Sequence, residues 1–150
     1  MEASLYETDF YRWTIEQSER LRLGQFNELD LANLAEEIAS LGRQERRELE
    51  NRLGVLIGHL LKWEYQPEKR TRSWQVTINT QRREIQKLLG DNPSLKSYLD
   101  LAAIEGFVSG LDLMLAETSI KKKVLPSDCP YTIGQIFDSS FPVGMETEFD

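Results

Sequence analysis

Apolar residues recur every three or four positions over most of this chain, and this spacing constrains the fold more than any other feature. No segment shows the apolar and polar alternation of a half-buried strand. The spacing is clearest in two successive segments, which contain Leu31, Leu34, Ile38 and Leu41 and then Leu49, Leu53, Leu56, Leu60 and Trp63. The sequence therefore predicts an all-α protein.

Gly42 lies between these two segments and leaves two interpretations open. A helix that begins near Asp30, a good N-cap, can end at this glycine, because glycine is common just past a helix C-terminus. Alternatively, glycine is tolerated inside the helix at a cost of about 1 kcal/mol, and one helix continues to Trp63. The sequence does not decide between a break and a continuous helix.

Two more helices are predicted from their capping residues. The first begins with Thr8 as N-cap and ends by Gly24. The second follows a loop over residues 65–72, begins with Ser73 as N-cap and closes at Gly90. Both carry apolar residues along one side, as amphipathic helices that pack on a core do.

The longest apolar segment runs from Leu95 to Glu117, and Ser94 before it is a plausible cap. Its apolar residues occur all around the helix, which is typical of a helix surrounded by others. Within it Gly106 and Gly110 lie four residues apart on one face, a spacing that favours close approach of a second helix. We therefore expect this helix at the centre of a bundle.

The last part of the chain contains three prolines and one short helical pattern, for which Thr132 is a plausible N-cap. Residues 143–150 are expected to fray. At 150 residues the chain suits one domain that needs no disulfide or metal to fold. The sequence thus predicts a single helical domain, 1–150, with four or five helices around Leu95–Glu117.

The charge is negative overall and unevenly distributed. A net charge of −7 disfavours broad, nonspecific binding to nucleic acids, because the surface repels phosphates. Residues 62–87 nevertheless contain seven Lys or Arg against three Glu, a net charge of +4, which leaves −11 for the remainder. Such a segment is more often a solvated face with partners in the same chain, but it can also meet an acidic ligand.

Cys129 is the only cysteine, so the chain has neither a disulfide framework nor a cysteine zinc site. The first residues do not form a basic and then apolar signal pattern, and no apolar segment approaches the ~20 residues of a membrane span. We expect a cytoplasmic protein without membrane contact. Cys129 has no histidine near it in sequence, which argues against a thiolate nucleophile.

His59 is the only histidine and the first candidate for catalysis. Its own helix offers no carboxylate at the spacing of a helical metal site, so ligands would come from elsewhere. A structural, hydrogen-bonded histidine is the simpler interpretation. If the helix continues past Gly42, Glu45 lies in the same row as His59 and Glu37 lies beside that row, which gives a possible metal set of His59, Glu37 and Glu45.

The second candidate group surrounds the basic segment. Arg82 lies at the margin of an apolar face and is expected to reach a carboxylate of another helix, either Glu37 or Glu45. Trp63 and Trp74 flank the basic loop, defined here as Lys69, Arg70 and Arg72. The two indoles could stack on nucleic-acid bases, but both occupy helical core positions, which favours burial.

The sequence also resembles a known family through several short motifs in a fixed order. The motifs are Tyr6-Glu-Thr-Asp-Phe-Tyr-Arg-Trp13, Leu34-Ala-Glu-Glu-Ile38, His59-Leu-Leu-Lys-Trp63, Ser73-Trp-Gln-Val-Thr-Ile78 and Asn92-Pro-Ser-Leu95. Together they resemble the bacterial family catalogued as domain of unknown function 29, over nearly the whole chain. The resemblance implies an all-helical domain and carries no activity to any residue. The family usually has glycine where this chain has Ser119, which puts the expected tight helix end in doubt.

The polar residues within these motifs suggest one hypothesis about a site. Glu37, His59 and Arg82 are expected to come from different helices and to converge in a polar cleft near Trp63 and Trp74. Their common position at the margins of apolar faces motivates this hypothesis. Separations beyond hydrogen-bond or one-water reach would contradict it.

No phosphate-loop, dinucleotide or zincin signature is present, and no cofactor is expected. The sequence therefore favours a small interaction or regulatory protein that binds another macromolecule, a protein partner above all, through a helical face or the basic loop. One alternative is a metal-dependent, hydrolase-like enzyme that uses His59 with Glu37. Another is nucleic-acid binding through residues 62–87. Self-association into a homo-oligomer stays open.

Overall fold

The computed structural model describes residues 3–145, and within this range it contains helices and no strand. The α-helices are α1 (Leu5–Thr8), α2 (Phe10–Arg22), α3 (Leu31–Tyr65), α4 (Arg72–Asp91), α5 (Leu99–Glu117) and α6 (Ile133–Phe137). Short 3₁₀ turns lie between several of them. None of the described helices is both long and apolar enough to cross a membrane. The predicted all-α class is confirmed.

Helix α3 is continuous through Gly42 and contains 35 residues. The cost of one glycine inside a helix is small beside the packing of the residues that follow it. The chain divides into two compact units, Met1–Gln44 and Glu45–Asp150, and α3 contributes to both. They are called the N-terminal unit and the C-terminal unit below. That residues 1–150 form a single domain stays a prediction.

In the N-terminal unit, α2 is capped by Asp9 and not by the expected Thr8. The Asp9 carboxylate accepts a hydrogen bond from the backbone N–H of Arg12 at 3.1 Å, whereas Thr8 belongs to the short α1. An aspartate is a strong N-cap, because its oxygen satisfies an N–H that the helix leaves free. The helix ends before Gly24 as predicted, and this glycine takes a φ of +72°, which it adopts without strain.

Asp30 organises the start of α3. Its carboxylate accepts hydrogen bonds from the Trp13 indole at 3.0 Å and from the Asn33 amide at 2.8 Å. Its backbone N–H donates to the side chain of Gln17 at 2.8 Å. Trp13 and Gln17 are the buried residues among residues 3–44, so polar contacts hold this unit as much as apolar ones do.

The C-terminal unit contains the hydrophobic core, and the second part of α3 is at its centre. The large side chains that are fully buried are Leu49, Leu53, Leu56, Ile57, Leu60 and Leu61 of α3, Ile78 and Ile85 of α4, Met114 of α5 and Ile136 of α6. The bundle is confirmed, but its central helix is α3 and not the predicted segment Leu95–Glu117. Helix α5 packs against α3 on one side and exposes apolar residues on the other.

Helices α3 and α5 cross at four glycines. A Cβ added at Gly110 would lie 2.8 Å from the carbonyl oxygen of Gly54 and 2.9 Å from the nitrogen of Gly58. One added at Gly106 would lie 2.8 Å from the Cβ of Leu53 and 3.1 Å from the nitrogen of Gly54. The close helix approach predicted from Gly106 and Gly110 is confirmed, and α3 supplies its own pair of glycines with the same spacing.

Helix α4 starts slightly earlier than predicted. Thr71 is the N-cap, and its hydroxyl accepts a hydrogen bond from the backbone N–H of Trp74 at 3.2 Å. The expected cap, Ser73, lies in the first turn. Both residues can cap a helix, and the extended backbone of Thr71 decides between them.

Both ends of α5 differ from expectation. The chain first forms a 3₁₀ turn over Pro93–Tyr98, which contains the expected cap Ser94, and α5 then begins at Leu99. At the other end α5 stops at the extended residue Thr118. No described residue other than glycine has a positive φ, so Ser119 does not take the left-handed conformation of a glycine cap.

The tail after α5 contains the predicted short helix, α6. Thr132 is its N-cap, and with Gln135 it forms a capping box in which each side chain bonds the other's backbone N–H. Part of the tail predicted to fray is in contact with the unit, because Val143 accepts a hydrogen bond from Trp63 at 3.0 Å. Residues 146–150 of that prediction lie outside the described residues.

Candidate functional site

His59 lies on α3 and is partly buried. Its Nδ1 lies 2.8 Å from the carbonyl oxygen of Val55, one turn earlier. Since a carbonyl only accepts, the contact requires a proton on Nδ1 and leaves the lone pair of a neutral ring on Nε2. Burial lowers the pKa of His59, and the Val55 carbonyl opposes that effect. The ring is therefore a neutral proton acceptor at pH 7.

Two charged side chains, Lys62 and Glu117, lie close enough to act on the charge of this histidine, and Lys62 also contacts Trp74. The buried ammonium of Lys62 binds the carboxylate of Glu117, which is half exposed, and lies 5.7 Å from the centre of the Trp74 ring. The hydrogen bond from Lys62 lowers the pKa of Glu117. Lys62 also lowers the pKa of His59 by repulsion, and Glu117 raises it. We call His59, Lys62, Trp74 and Glu117 the polar cluster.

The polar cluster joins α3, α4 and α5, but its chemistry is limited. The side-chain nitrogen of Lys62 is engaged in the ion pair with Glu117, so this arrangement does not present it as a nucleophile. Nε2 of His59 is the group in the cluster that can take a proton, and one base without a positioned partner is not a catalytic constellation. A structural role for the ion pair between the buried Lys62 and the half-exposed Glu117 is the plain interpretation.

Glu37 is not part of this cluster. It lies in the N-terminal unit, where its carboxylate accepts a hydrogen bond from the hydroxyl of Tyr6. This hydrogen bond raises the pKa of Tyr6. His59 and Arg82 lie in the C-terminal unit and have partners of their own there, and the convergence of the three predicted cleft residues stays a prediction.

The metal alternative also lacks an assembled site. Among residues 3–145, no three His, Cys, Asp or Glu side chains lie together in a way that could hold a metal ion. Glu37 belongs to the N-terminal unit, and Glu45 and His59 to the other. Glu45 instead lines a surface depression that it shares with Glu48, Glu84 and Lys87.

Arg82 binds the tail and not a carboxylate. It is buried, and its guanidinium donates hydrogen bonds to the carbonyls of Ile136 and Phe141, both at 2.7 Å, and of Gln135 at 3.2 Å. Burial lowers its pKa, and Asp138 opposes that effect. The expected partner was wrong, because the carbonyls come from a segment more than 50 residues later in the chain. Arg82 holds the tail on α4.

Trp63 binds the same tail from α3 through the Val143 contact described above. It is buried, and the guanidinium of Arg70 lies 5.0 Å from its ring centre while donating to its carbonyl oxygen at 2.8 Å. Beside them a cavity of about 310 Å³ is also lined by Tyr131 and Phe141. Trp63 and Arg82 thus share the tail as their partner, whereas Trp74 belongs to the polar cluster.

The basic loop is only partly available to a ligand. Arg70 is engaged with Trp63, and Arg72 also has an interaction within the chain. Lys69 is exposed and ends a 3₁₀ turn. These contacts favour the interpretation of the loop as a face with partners in the same chain.

A further cavity lies where the sequence analysis did not predict a site. It has a volume of about 720 Å³ and separates the outer face of α5 from residues 122–129. Its lining contains Ile104, Phe107, Val108 and Leu111 on the α5 side. We call it the α5 groove. The sequence did contain a signal for this groove, because apolar residues occur all around α5. That pattern predicted a helix buried on every side, whereas one side of α5 is exposed.

Cys129 lines the α5 groove and is half buried. Burial raises the pKa of its thiol, while a contact of 3.6 Å with the carbonyl oxygen of Tyr131 opposes that effect. The thiol is therefore protonated at pH 7, in keeping with the expectation that it is no nucleophile.

Comparison with known proteins identifies a family. A family described as "Domain of unknown function DUF29" matches residues 5–142. No curated protein and no solved structure shows a significant match. The match covers every described helix and adds no functional residue to those derived above.

Proposed function

The chain belongs to the DUF29 family, and we propose that it is a protein-interaction module that binds an apolar helical segment of a partner protein in the α5 groove. The observation that carries this proposal is the exposed apolar face of α5. Leu101, Ile104 and Val108 expose 59%, 59% and 54% of their surface. Soluble proteins seldom leave such a row uncovered unless it meets a partner.

The groove has the form of a binding site for a helix. The three exposed residues follow the helical spacing i, i+3 and i+7, which extends over about 10 Å of α5. Beneath them Phe107 and Leu111 are buried and close the floor. A row that continues along a helix beyond the cavity fits an amphipathic helix better than a compact small molecule.

Charged residues line the groove and can orient a partner. Lys122 and Lys123 lie on one side, and Asp112 and Asp128 also contribute to the lining. None of these four takes part in the ion pairs found among residues 3–145. Unpaired charges at the rim of an apolar surface mainly affect the rate and specificity of association.

The face of α5 supports this proposal better than the basic loop supports nucleic-acid binding. The loop has partners within the chain, and the whole protein carries −7. Binding of an apolar segment in the α5 groove does not depend on that net charge. The enzyme alternative has less support, because no three His, Cys, Asp or Glu side chains that could hold a metal ion lie together among residues 3–145.

Site-specific crosslinking tests the proposal. A photoreactive phenylalanine in place of Ile104 or Val108 is expected to crosslink a partner protein in the native cell, because both positions face the groove. The same residue in place of Val76, which is 42% exposed on α4, is the matched control. Equal crosslinking at Val76, or none at the two groove positions, would remove the groove as the binding site.

A charge variant sharpens this test. Ile104→Glu places a carboxylate in the apolar face and is expected to weaken partner capture at least tenfold, whereas Val76→Glu leaves capture unchanged. Lys122→Glu together with Lys123→Glu is expected to alter the salt dependence of capture more than its strength at high salt. Circular dichroism confirms that each variant keeps its helices.

A further inference from the structure

The cavity of about 310 Å³ in the C-terminal unit is formed by the end of α3 and the tail. Trp63 and Glu64 line it from α3, and Arg70 lines it from the loop that follows. The tail contributes the other wall, which includes Tyr131 and Phe141. We call it the tail cavity. It shares no lining residue with the α5 groove, so the two are separate.

The wall that the tail provides is held in place by side chains of α3 and α4. The buried guanidinium of Arg82 binds three tail carbonyls, among them that of Phe141 at 2.7 Å. The indole of Trp63 donates to the carbonyl of Val143 at 3.0 Å. A cavity whose walls are fixed before binding loses little conformational entropy when a ligand enters.

Aromatic side chains suit the tail cavity to a flat apolar group. Trp63 is buried, and Tyr131 and Phe141 are half buried with their rings edge to face at 5.7 Å between centroids. A further aromatic ring gains from offset and edge contacts with such walls. The volume is at the lower end of the roughly 300–1,000 Å³ of ligand sites, which suits a ligand about the size of one amino acid.

Two side chains of opposite charge line the same cavity without pairing with each other. Arg70 donates through Nε to the Trp63 carbonyl at 2.8 Å, and no contact found among residues 3–145 engages its two terminal nitrogens in a hydrogen bond or ion pair. One oxygen of Glu64 accepts a hydrogen bond from the Tyr131 hydroxyl at 2.6 Å. Arg70 and Glu64 are both exposed, so each can receive a charged group of a ligand from solvent.

These two charges restrict the class of ligand. A simple acid would bind the guanidinium of Arg70 but would meet the carboxylate of Glu64, and a simple amine would meet the opposite conflict. A residue inside a peptide carries neither charge. A free α-amino acid carries a carboxylate and an ammonium group on one carbon, and a carboxylate fits the planar guanidinium through two hydrogen bonds.

We propose that the tail cavity binds a free α-amino acid with an aromatic side chain. Its carboxylate lies on Arg70, its ammonium group lies on Glu64, and its ring lies against Phe141. This binding site goes beyond the proposed partner site in the α5 groove and does not depend on it.

NMR titration of the isotope-labelled full chain with L-phenylalanine and L-tryptophan tests the proposal. At least one of them is expected to bind with a Kd on the order of 0.1 mM. Its amide, which lacks the carboxylate, and its N-acetyl derivative, which lacks the ammonium group, are each expected to bind at least tenfold more weakly. The indole N–H signal of Trp63 is expected to move more than that of Trp74, which does not line the cavity.

Two charge variants identify which group of the ligand each residue binds. Arg70→Gln is expected to weaken binding of the amino acid at least tenfold without weakening binding of the amide. Glu64→Gln is expected to weaken the amino acid at least tenfold without weakening the N-acetyl derivative. Lys69→Gln and Glu68→Gln remove the same charges from exposed residues of the same loop that do not line the cavity, and both are expected to bind as the wild type does.

The retained ligand keeps this test independent of folding, because a variant that had lost its fold would bind neither compound. Absence of binding by both amino acids would overturn the proposal. So would an amide or N-acetyl derivative that binds as tightly as the amino acid, since one charge would then be enough. Equal losses in Lys69→Gln or Glu68→Gln, or a Trp63 signal that does not move, would also overturn it. None of these results affects the crosslinks at Ile104, which test the α5 groove.

Discussion

The two parts of helix α3 have the same kind of sequence and different surroundings. Leu31, Ile38 and Leu41 in the N-terminal unit are largely exposed, whereas Leu53 and Leu56 in the C-terminal unit are fully buried. The apolar spacing is equally regular in both parts. The comparison teaches that apolar spacing predicts a helix and its apolar face. It does not predict what covers that face.

The glycines of the two parts differ in the same way. Gly54 and Gly58 allow α5 to approach the backbone of α3 directly, whereas Gly42 has open space around it. In the C-terminal unit the chain therefore supplies its own packing partner. In the N-terminal unit the side of α3 that contains Gly42 has no such partner within 4 Å of this glycine.

The largest effect on stability is expected when a buried leucine of α3 is replaced by alanine. The same substitution in the exposed part of α3 is the comparison. Leu56→Ala removes a fully buried side chain and is expected to lower the free energy of unfolding by about 2–5 kcal/mol. Leu31→Ala changes an exposed side chain and is expected to cost less than about 0.5 kcal/mol in dilute protein. Denaturant unfolding measures both values, and equal losses would break the comparison.

A smaller effect is expected at the helix crossing. Gly110→Ala brings a methyl group within 2.9 Å of two backbone atoms of α3, and the helices have to separate. We expect a loss of about 1–3 kcal/mol in the free energy of unfolding. Gly90→Ala in α4 meets no neighbour within 4 Å and is expected to gain up to about 1 kcal/mol. A loss of similar size at both positions would mean that the close crossing does not explain the cost at Gly110, because helix propensity favours alanine over glycine at either position.

The local features of the fold could be predicted from the sequence, since local rules determine them. Thr132 could be predicted as a cap because threonine is a favoured N-cap residue and lies directly before a short helical pattern. Gly106 and Gly110 predicted a close helix approach because their spacing is visible on one helix. The competing caps Thr8 and Asp9 could not be ranked, since the backbone conformation that decides between them depends on the preceding α1.

The partners of the candidate site residues could not be predicted, because they are distant in sequence. Arg82 binds carbonyls of the tail, and Lys62 binds Glu117, 55 residues later. Backbone carbonyls carry no sequence signal. The sequence therefore predicted a carboxylate as the partner of Arg82. Glu37 and His59 lie on the same helix but belong to different units. The boundary between the units has no signal in the local sequence of α3.

The smallest effect on stability is expected from a change of pH. The two units are expected to respond over different pH ranges. His59 is the only histidine, so its ring protons can be titrated by NMR without interference. Because burial lowers its pKa, the midpoint is expected below the usual value of about 6.5. The unfolded chain then binds more protons than the folded chain just below pH 6.5, so stability falls as pH falls through this range.

The N-terminal unit is expected to respond only at lower pH. Hydrogen bonds from Asn33 and Trp13 lower the pKa of Asp30, so its stabilising effect is complete above pH 4 and is lost below it. Between pH 7.5 and 5 the melting temperature should therefore fall in the wild type and less in His59→Gln. An unchanged slope in His59→Gln, or an NMR midpoint above 6.5, would mean that burial does not control this histidine and that carboxylates such as Glu117 dominate its surroundings.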